Sequence, residues 1–147
     1  MKGLLVAPAW VGDAILAHAL VRTLVADRPD LVLEVLAPAA TRPLFERMAG
    51  VRATHLLDVG HGETGLRRRW RLGRALAGTF DRAWVLPGSW KSALVPFFAG
   101  VPERIGYLGE ARHGLLTEPR RPDTARLPRL VDRFVALGRP EGAPLPE

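Results

Sequence analysis

The ten residues Leu4-Leu5-Val6-Ala7-Pro8-Ala9-Trp10-Val11-Gly12-Asp13 constrain the fold more than any other stretch of the chain. The apolar run before Pro8 is too short for a helix and right for a buried central strand. Pro8 has no backbone N–H, so the strand ladder ends there. Gly12 permits a tight turn or the close approach of a ligand. Asp13 stands before Ala14-Ile15-Leu16, where a helix is expected to begin, and Asp is a favoured N-cap. In an open parallel sheet, ligands bind beyond the carboxyl ends of the strands. Asp13 is therefore either a cap or a residue of a site, and the turn alone leaves both readings open.

Strand and helix signals then alternate to the end of the chain. Strands are expected at 3–7, 31–37, 54–59, 81–86 and 104–107. Between them lie a helix from Asp13 to Asp27 and a short one from Ala40 or Thr41 through Met48, with Pro43 in its first turn. Another helix is read over 66–79, and one after Ser89, a candidate N-cap, which Pro96 should kink or divide. Gly60-His61-Gly62 reads as a turn and 109–117 as a loop. The last helix spans 127–137, and the Pro- and Gly-rich 139–147 reads as a frayed, linker-like tail. This alternation specifies an α/β fold with a mostly parallel sheet and one domain over residues 1–138.

Charge adds a partner class. The formal net charge is +6, and of the 21 basic residues only Lys2 and Lys91 are lysine. An anionic partner follows: nucleic acid, an acidic membrane surface or a phosphorylated substrate. On the wheel of the 66–79 helix, Trp70, Gly73, Leu76, Ala77 and Phe80 share one face, read as the inner one. Arg67, Arg71 and Arg74 share the other, with Arg68 beside them and no carboxylate at i, i+4. Planar guanidinium groups suit phosphate or carboxylate. Lys91 sits in a helix's first turn, where the dipole disfavours a cation, which points to an anion nearby.

Other classes are excluded. Without cysteine there is neither a disulfide nor a thiolate metal site, and His18, His55, His61 and His113 lack metal-ligand spacing. No G-x-x-x-x-G-K-[ST] loop, G-x-G-x-x-G fingerprint or G-x-S-x-G elbow occurs. The N-terminus is neither a signal peptide nor a spanning helix, so a cytoplasmic protein is expected. A nucleic-acid-binding domain would need a stacking platform or recognition helix, and Trp70 and Trp84 fall at core-like positions.

Five segments in this order carry a family likeness. They are Pro8-Ala9-Trp10-Val11-Gly12-Asp13; Ala37-Pro38-Ala39 with Arg42-Pro43-Leu44; Gly60-His61-Gly62; the run from Leu86 to Pro102 with Arg104-Ile105-Gly106-Tyr107; and the run from Gly109 to Leu116. Together they resemble the N-terminal half of the ADP-heptose-dependent lipopolysaccharide heptosyltransferases, glycosyltransferase family 9. The resemblance implies the Rossmann-like half of a two-domain GT-B enzyme, an open sheet with helices on both faces. This half would hold the acceptor, the lipopolysaccharide inner core on lipid A. The other would hold the donor, ADP-L-glycero-D-manno-heptose, and no metal or resident cofactor is implied. Heptose would be transferred with inversion, Asp13 serving as general base on the acceptor hydroxyl and also capping its helix. Trp10, Gly12, Arg67, Arg68, Arg71, Ser89, Lys91 and Arg112 become candidate acceptor contacts. Ala9 and Gly88 depart from the Ser and Asn expected in this family.

The same likeness implies a peripheral position at the inner membrane and no nucleic-acid partner. Because the chain stops near the expected interdomain linker, it should be inactive alone, with a separate chain as one source of the donor domain. The alternative is a non-catalytic module that binds anionic glycolipid or a membrane surface.

Overall fold

The computed structural model describes residues 1–59, 64–109 and 114–146. Among these the chain runs β1 (Lys2–Val6), α1 (Val11–Asp27), β2 (Val32–Ala37), α2 (Arg42–Glu46), β3 (Val51–Leu56), α3 (Leu66–Ala75), β4 (Arg82–Val85), a 3-10 turn (Trp90–Ala93), α4 (Leu94–Phe98), β5 (Glu103–Tyr107), β6 (Glu118–Arg120) and α5 (Leu130–Leu137). The strands form one sheet in the order β3-β2-β1-β4-β5-β6. Every neighbouring pair is parallel, with Leu5 opposite Val35 on one side and Trp84 on the other. This is the doubly wound order, whose direction of growth reverses between β1 and β4.

Alternation along each strand builds two cores. Leu5, Val35 and Trp84 face α1, α2 and α5, meeting Leu20, Leu24, Phe45 and Phe134. Leu4, Val6, Leu36 and Val85 face the other side, where Val95 of α4 and Ala99 just past its end close over them and Leu72 and Leu76 pack from α3 and its end. Helices therefore cover both faces, as expected, and Trp84 is fully buried.

Several boundaries differ from the sequence reading. Strand β3 begins at Val51 rather than at 54, directly after Gly50, whose φ of +95° makes the turn. Its register against β2 opens with Leu33 opposite Val51, so pairing rather than apolarity sets the start of this edge strand. Strand β6 escaped notice because Pro119 demotes it, yet an edge strand tolerates proline. The last helix starts at Leu130, after Pro128, instead of at 127. Pro96 does accompany a division: the 3-10 turn ends at Ala93 and α4 carries Pro96 in its first turn, where no intrahelical donor is needed. The tail is tied down at its start, since Arg139 Nε and Nη2 donate to the Asp27 carboxylate at 2.9 and 3.1 Å.

The largest correction is the rotation of α3. Trp70 is 51% exposed, while Arg69 is only 6% exposed. Gly73 fixes this setting, because a Cβ there would stand 2.5 Å from Phe98 Cβ. The helix touches α4 through position 73, and one turn earlier that line runs through 69, not 70.

Candidate active site

The carboxyl ends of β1 to β4 open onto one groove of ≈ 580 Å³. It lies across the β1/β4 reversal, where a doubly wound sheet binds ligands. The segment after β1 gives Ala9, Trp10 and Val11, and that after β2 gives Pro38, Ala39 and Ala40. Leu57 and Val59 follow β3, and Pro87, Ser89, Lys91 and Ser92 follow β4. Arg69 enters from α3. The floor is apolar, and the polar groups gather on the β4 side, a pattern suited to orienting a ligand.

Hydrogen bonds hold the rim. Thr41 Oγ1 donates to Pro8 O at 3.2 Å and joins the turns after β1 and β2. Leu57 N donates to Ala37 O at 2.9 Å, carrying the post-β3 segment along the groove. Ser92 Oγ lies 2.6 Å from Ser89 O and 3.1 Å from Pro87 O, which closes the turn bearing Lys91. Ser89 stands at the N-cap position of the 3-10 turn but makes no side-chain capping bond.

Arg69 is the residue that sequence reasoning missed. Its Nε donates to Thr64 O at 2.8 Å and its Nη1 to Lys91 O at 3.1 Å. It thereby joins α3 to the 3-10 turn. No carboxylate pairs with it among the described residues, and burial lowers its pKa from the ordinary arginine value. Burying a cation against carbonyls alone is costly. An anionic group in the groove would supply the missing counter-charge. The available signal was the i, i+4 relation of Arg69 to Gly73, which the bulk of Trp70 obscured.

Of the other residues singled out above, Trp10, Ser89 and Lys91 line this groove. Gly12 and Asp13 are not among the lining residues; they follow the lining Val11 in the first turn of α1. Asp13 does not cap that helix: the N-cap is Trp10, whose carbonyl accepts from Ala14 N at 2.9 Å. Gly12 is already helical, which puts Asp13 third in the helix, where its charge complements the dipole. Nothing lies within 4 Å of a Cβ built on Gly12, and its φ is not positive, so the fold of this chain does not require glycine there. Gly88 has the same open surroundings.

Arg67, Arg68 and Arg71 are exposed and do not line the groove. Arg68 Nη1 instead donates to Asp58 O at 2.8 Å and sits 3.8 Å from its carboxylate. Arg112, with Gly60-His61-Gly62 and His113, lies outside the described residues.

A second cavity, of ≈ 400 Å³, opens at the ends of β5 and β6 beneath the tail, lined by Tyr107, Arg120, Arg126 and Pro140 among others. Its buried Arg120 already bonds Glu118 at 2.8 Å and Ala136 O at 2.7 Å. Charge compensation of that kind is what Arg69 lacks, so the first groove is the better candidate site. Among the described residues, no group of three or more His, Cys, Asp or Glu could hold a metal ion, and no helix is long and apolar enough to cross a membrane.

Comparison with known proteins agrees with this fold. A family model described as glycosyltransferase family 9 (heptosyltransferase) matches residues 69–146. The chain is 46% identical over 143 residues to lipopolysaccharide heptosyltransferase 2 of Salmonella typhimurium, covering 97% of this chain and 41% of that protein. The solved structure of E. coli ADP-heptose LPS heptosyltransferase II superposes with a TM-score of 0.86 at 43% identity, again over 97% of this chain and 41% of the other. A family 9 glycosyl transferase from Veillonella parvula shares the fold, with a TM-score of 0.80 at 15% identity. The chain thus spans about two fifths of the length of these relatives. Strand order and sequence converge on one assignment: the chain belongs to glycosyltransferase family 9, the heptosyltransferases, and carries part of their GT-B fold.

Proposed function

We propose that this chain is the acceptor-binding half of an inverting heptosyltransferase acting on the inner core of lipopolysaccharide. The observation that carries the reading is Arg69, a buried cation without a carboxylate partner among the described residues, lining the groove at the sheet's reversal point. A phosphate or carboxylate of the acceptor fits between Arg69 and Lys91, and Trp10 offers a flat apolar face for a sugar ring. Asp13, in the first turn of α1, serves as general base on the acceptor hydroxyl. A positioned carboxylate of this kind contributes roughly 10²- to 10⁴-fold to rate.

The donor, ADP-heptose, binds mainly in the part of the relatives' length that this chain does not span. No metal or resident cofactor enters the proposal. The protein works on the cytoplasmic side, peripheral to the inner membrane, because its acceptor is a lipid. By itself the chain binds acceptor and transfers little or no heptose.

Two measurements test this. Titration with a de-acylated inner-core oligosaccharide should give saturable binding that Arg69→Gln removes; undiminished binding by the variant would refute the proposal. A chimera completed with the C-terminal part of the E. coli relative should transfer heptose from ADP-heptose, and Asp13→Asn should lower its kcat by roughly 10²-fold or more. Binding without turnover in that chimera would favour a non-catalytic glycolipid-binding module instead.

A further inference from the structure

Helix α3 carries Arg67, Arg68, Arg69, Arg71 and Arg74 and not one acidic residue. Arg69 turns inward and Arg68 leans onto Asp58, while the side chains of Arg67 and Arg71 form no hydrogen bond or ion pair among the described residues. Between this ridge and the buried side of the helix lie Leu66 and Trp70, one turn apart, 52% and 51% exposed. Phe97 of α4, the helix against which α3 packs, is exposed as well. The outer face of α3 is therefore both cationic and apolar, and the sheet core gives its large side chains no place. A solvated helix face usually interleaves acids with its bases and keeps tryptophan covered.

From this juxtaposition we propose that the outer face of α3 docks the protein onto an anionic phospholipid bilayer, with Arg67 and Arg71 at the headgroups and Trp70 and Leu66 entering the interface. The occupant follows from charge and depth together. Headgroup phosphates complement the unpaired guanidinium groups, and the boundary between headgroups and acyl chains is where Trp and Leu are favoured beside Arg. The proposal deepens the membrane placement given above by naming the surface and the lipid chemistry. It does not depend on the acceptor or on turnover.

The test uses the chain itself and vesicles free of any glycolipid. Flotation is compared on phosphatidylcholine alone and on phosphatidylcholine with an equal part of phosphatidylglycerol. Binding to the anionic vesicles should exceed that to the neutral ones and fall roughly thirtyfold when Arg67→Gln and Arg71→Gln are combined. Removing two charges from the other face of the sheet, Arg22→Gln with Arg47→Gln, should change it far less. Bromine-labelled acyl chains should quench the tryptophan fluorescence, and Trp70→Ala should remove most of that quenching while Trp10→Ala leaves it. Equal loss from both arginine pairs, quenching that survives Trp70→Ala, or preference for duplex DNA over the anionic vesicles would each overturn the proposal. Loss of vesicle binding with intact binding of the de-acylated oligosaccharide would separate this face from the groove.

Discussion

At the scale of single residues, Arg69 marks the candidate site by the carboxylate partner it lacks among the described residues. Burying an unpaired cation costs desolvation, and its hydrogen bonds to Thr64 O and Lys91 O offset part of that cost. Arg69→Met removes the desolvation cost but leaves both carbonyls without their donor, so it should lower stability by about 1–3 kcal/mol while removing affinity for an anionic oligosaccharide. Calorimetry and titration on the same variant check both halves of that statement. Asp13 makes the complementary case. Its place at the start of α1 was legible in sequence, but the cap reading was wrong, because Gly12 looked like a turn residue and is helical instead, which leaves Trp10 as the N-cap. Arg69 was not legible because a wheel centred on the largest apolar side chain put Trp70 inside. Only the contact of Gly73 with α4 shows that the bulky residue faces out.

At the scale of elements, two glycines behave in opposite ways. Gly73→Ala puts a methyl group against Phe98 Cβ and the backbone of α4, so it should destabilise the fold by about 1–3 kcal/mol, measured by urea unfolding. Gly12→Ala meets no atom within 4 Å and should stabilise α1 by up to about 1 kcal/mol. If a ligand or the donor half approaches this helix closely, the same substitution should weaken function in the completed enzyme while raising its melting temperature. Strand and helix alternation was readable as far as β5 because each element keeps its own apolar period. The start of β3, the whole of β6 and the start of α5 were not, because pairing register and single prolines set them.

At the scale of the whole molecule, a polar cluster laces the sheet. Glu34 of β2 accepts from Lys2 of β1 at 3.4 Å and meets His55 of β3 at 2.7 Å, and all but Lys2 sit largely out of water. Burial alone would raise the Glu34 pKa. The hydrogen bond with His55 and the charges of His55 and Lys2 outweigh it and hold the carboxyl below its ordinary value. A carboxyl depressed in the folded state stabilises the protein above its unfolded pKa and loses that contribution as pH falls through the folded value. Stability should therefore decline as acid is added below the ordinary glutamate range, and Glu34→Gln should flatten that decline. Denaturant midpoints across the acid range decide it.

The strand order has a consequence for how the protein is made. The centre of the sheet is β1, yet one of its two neighbours, β4, lies far along the chain: Lys2 N reaches the Asp81 carboxylate across a separation of 79 residues. A ribosome delivers β1, β2 and β3 first, and until β4 emerges one side of the most buried strand presents unpaired N–H and C=O groups. Such an edge invites pairing with another nascent chain. Slowed synthesis between codons 57 and 81 should therefore lower the soluble yield more than the same delay placed after β4 has left the exit tunnel.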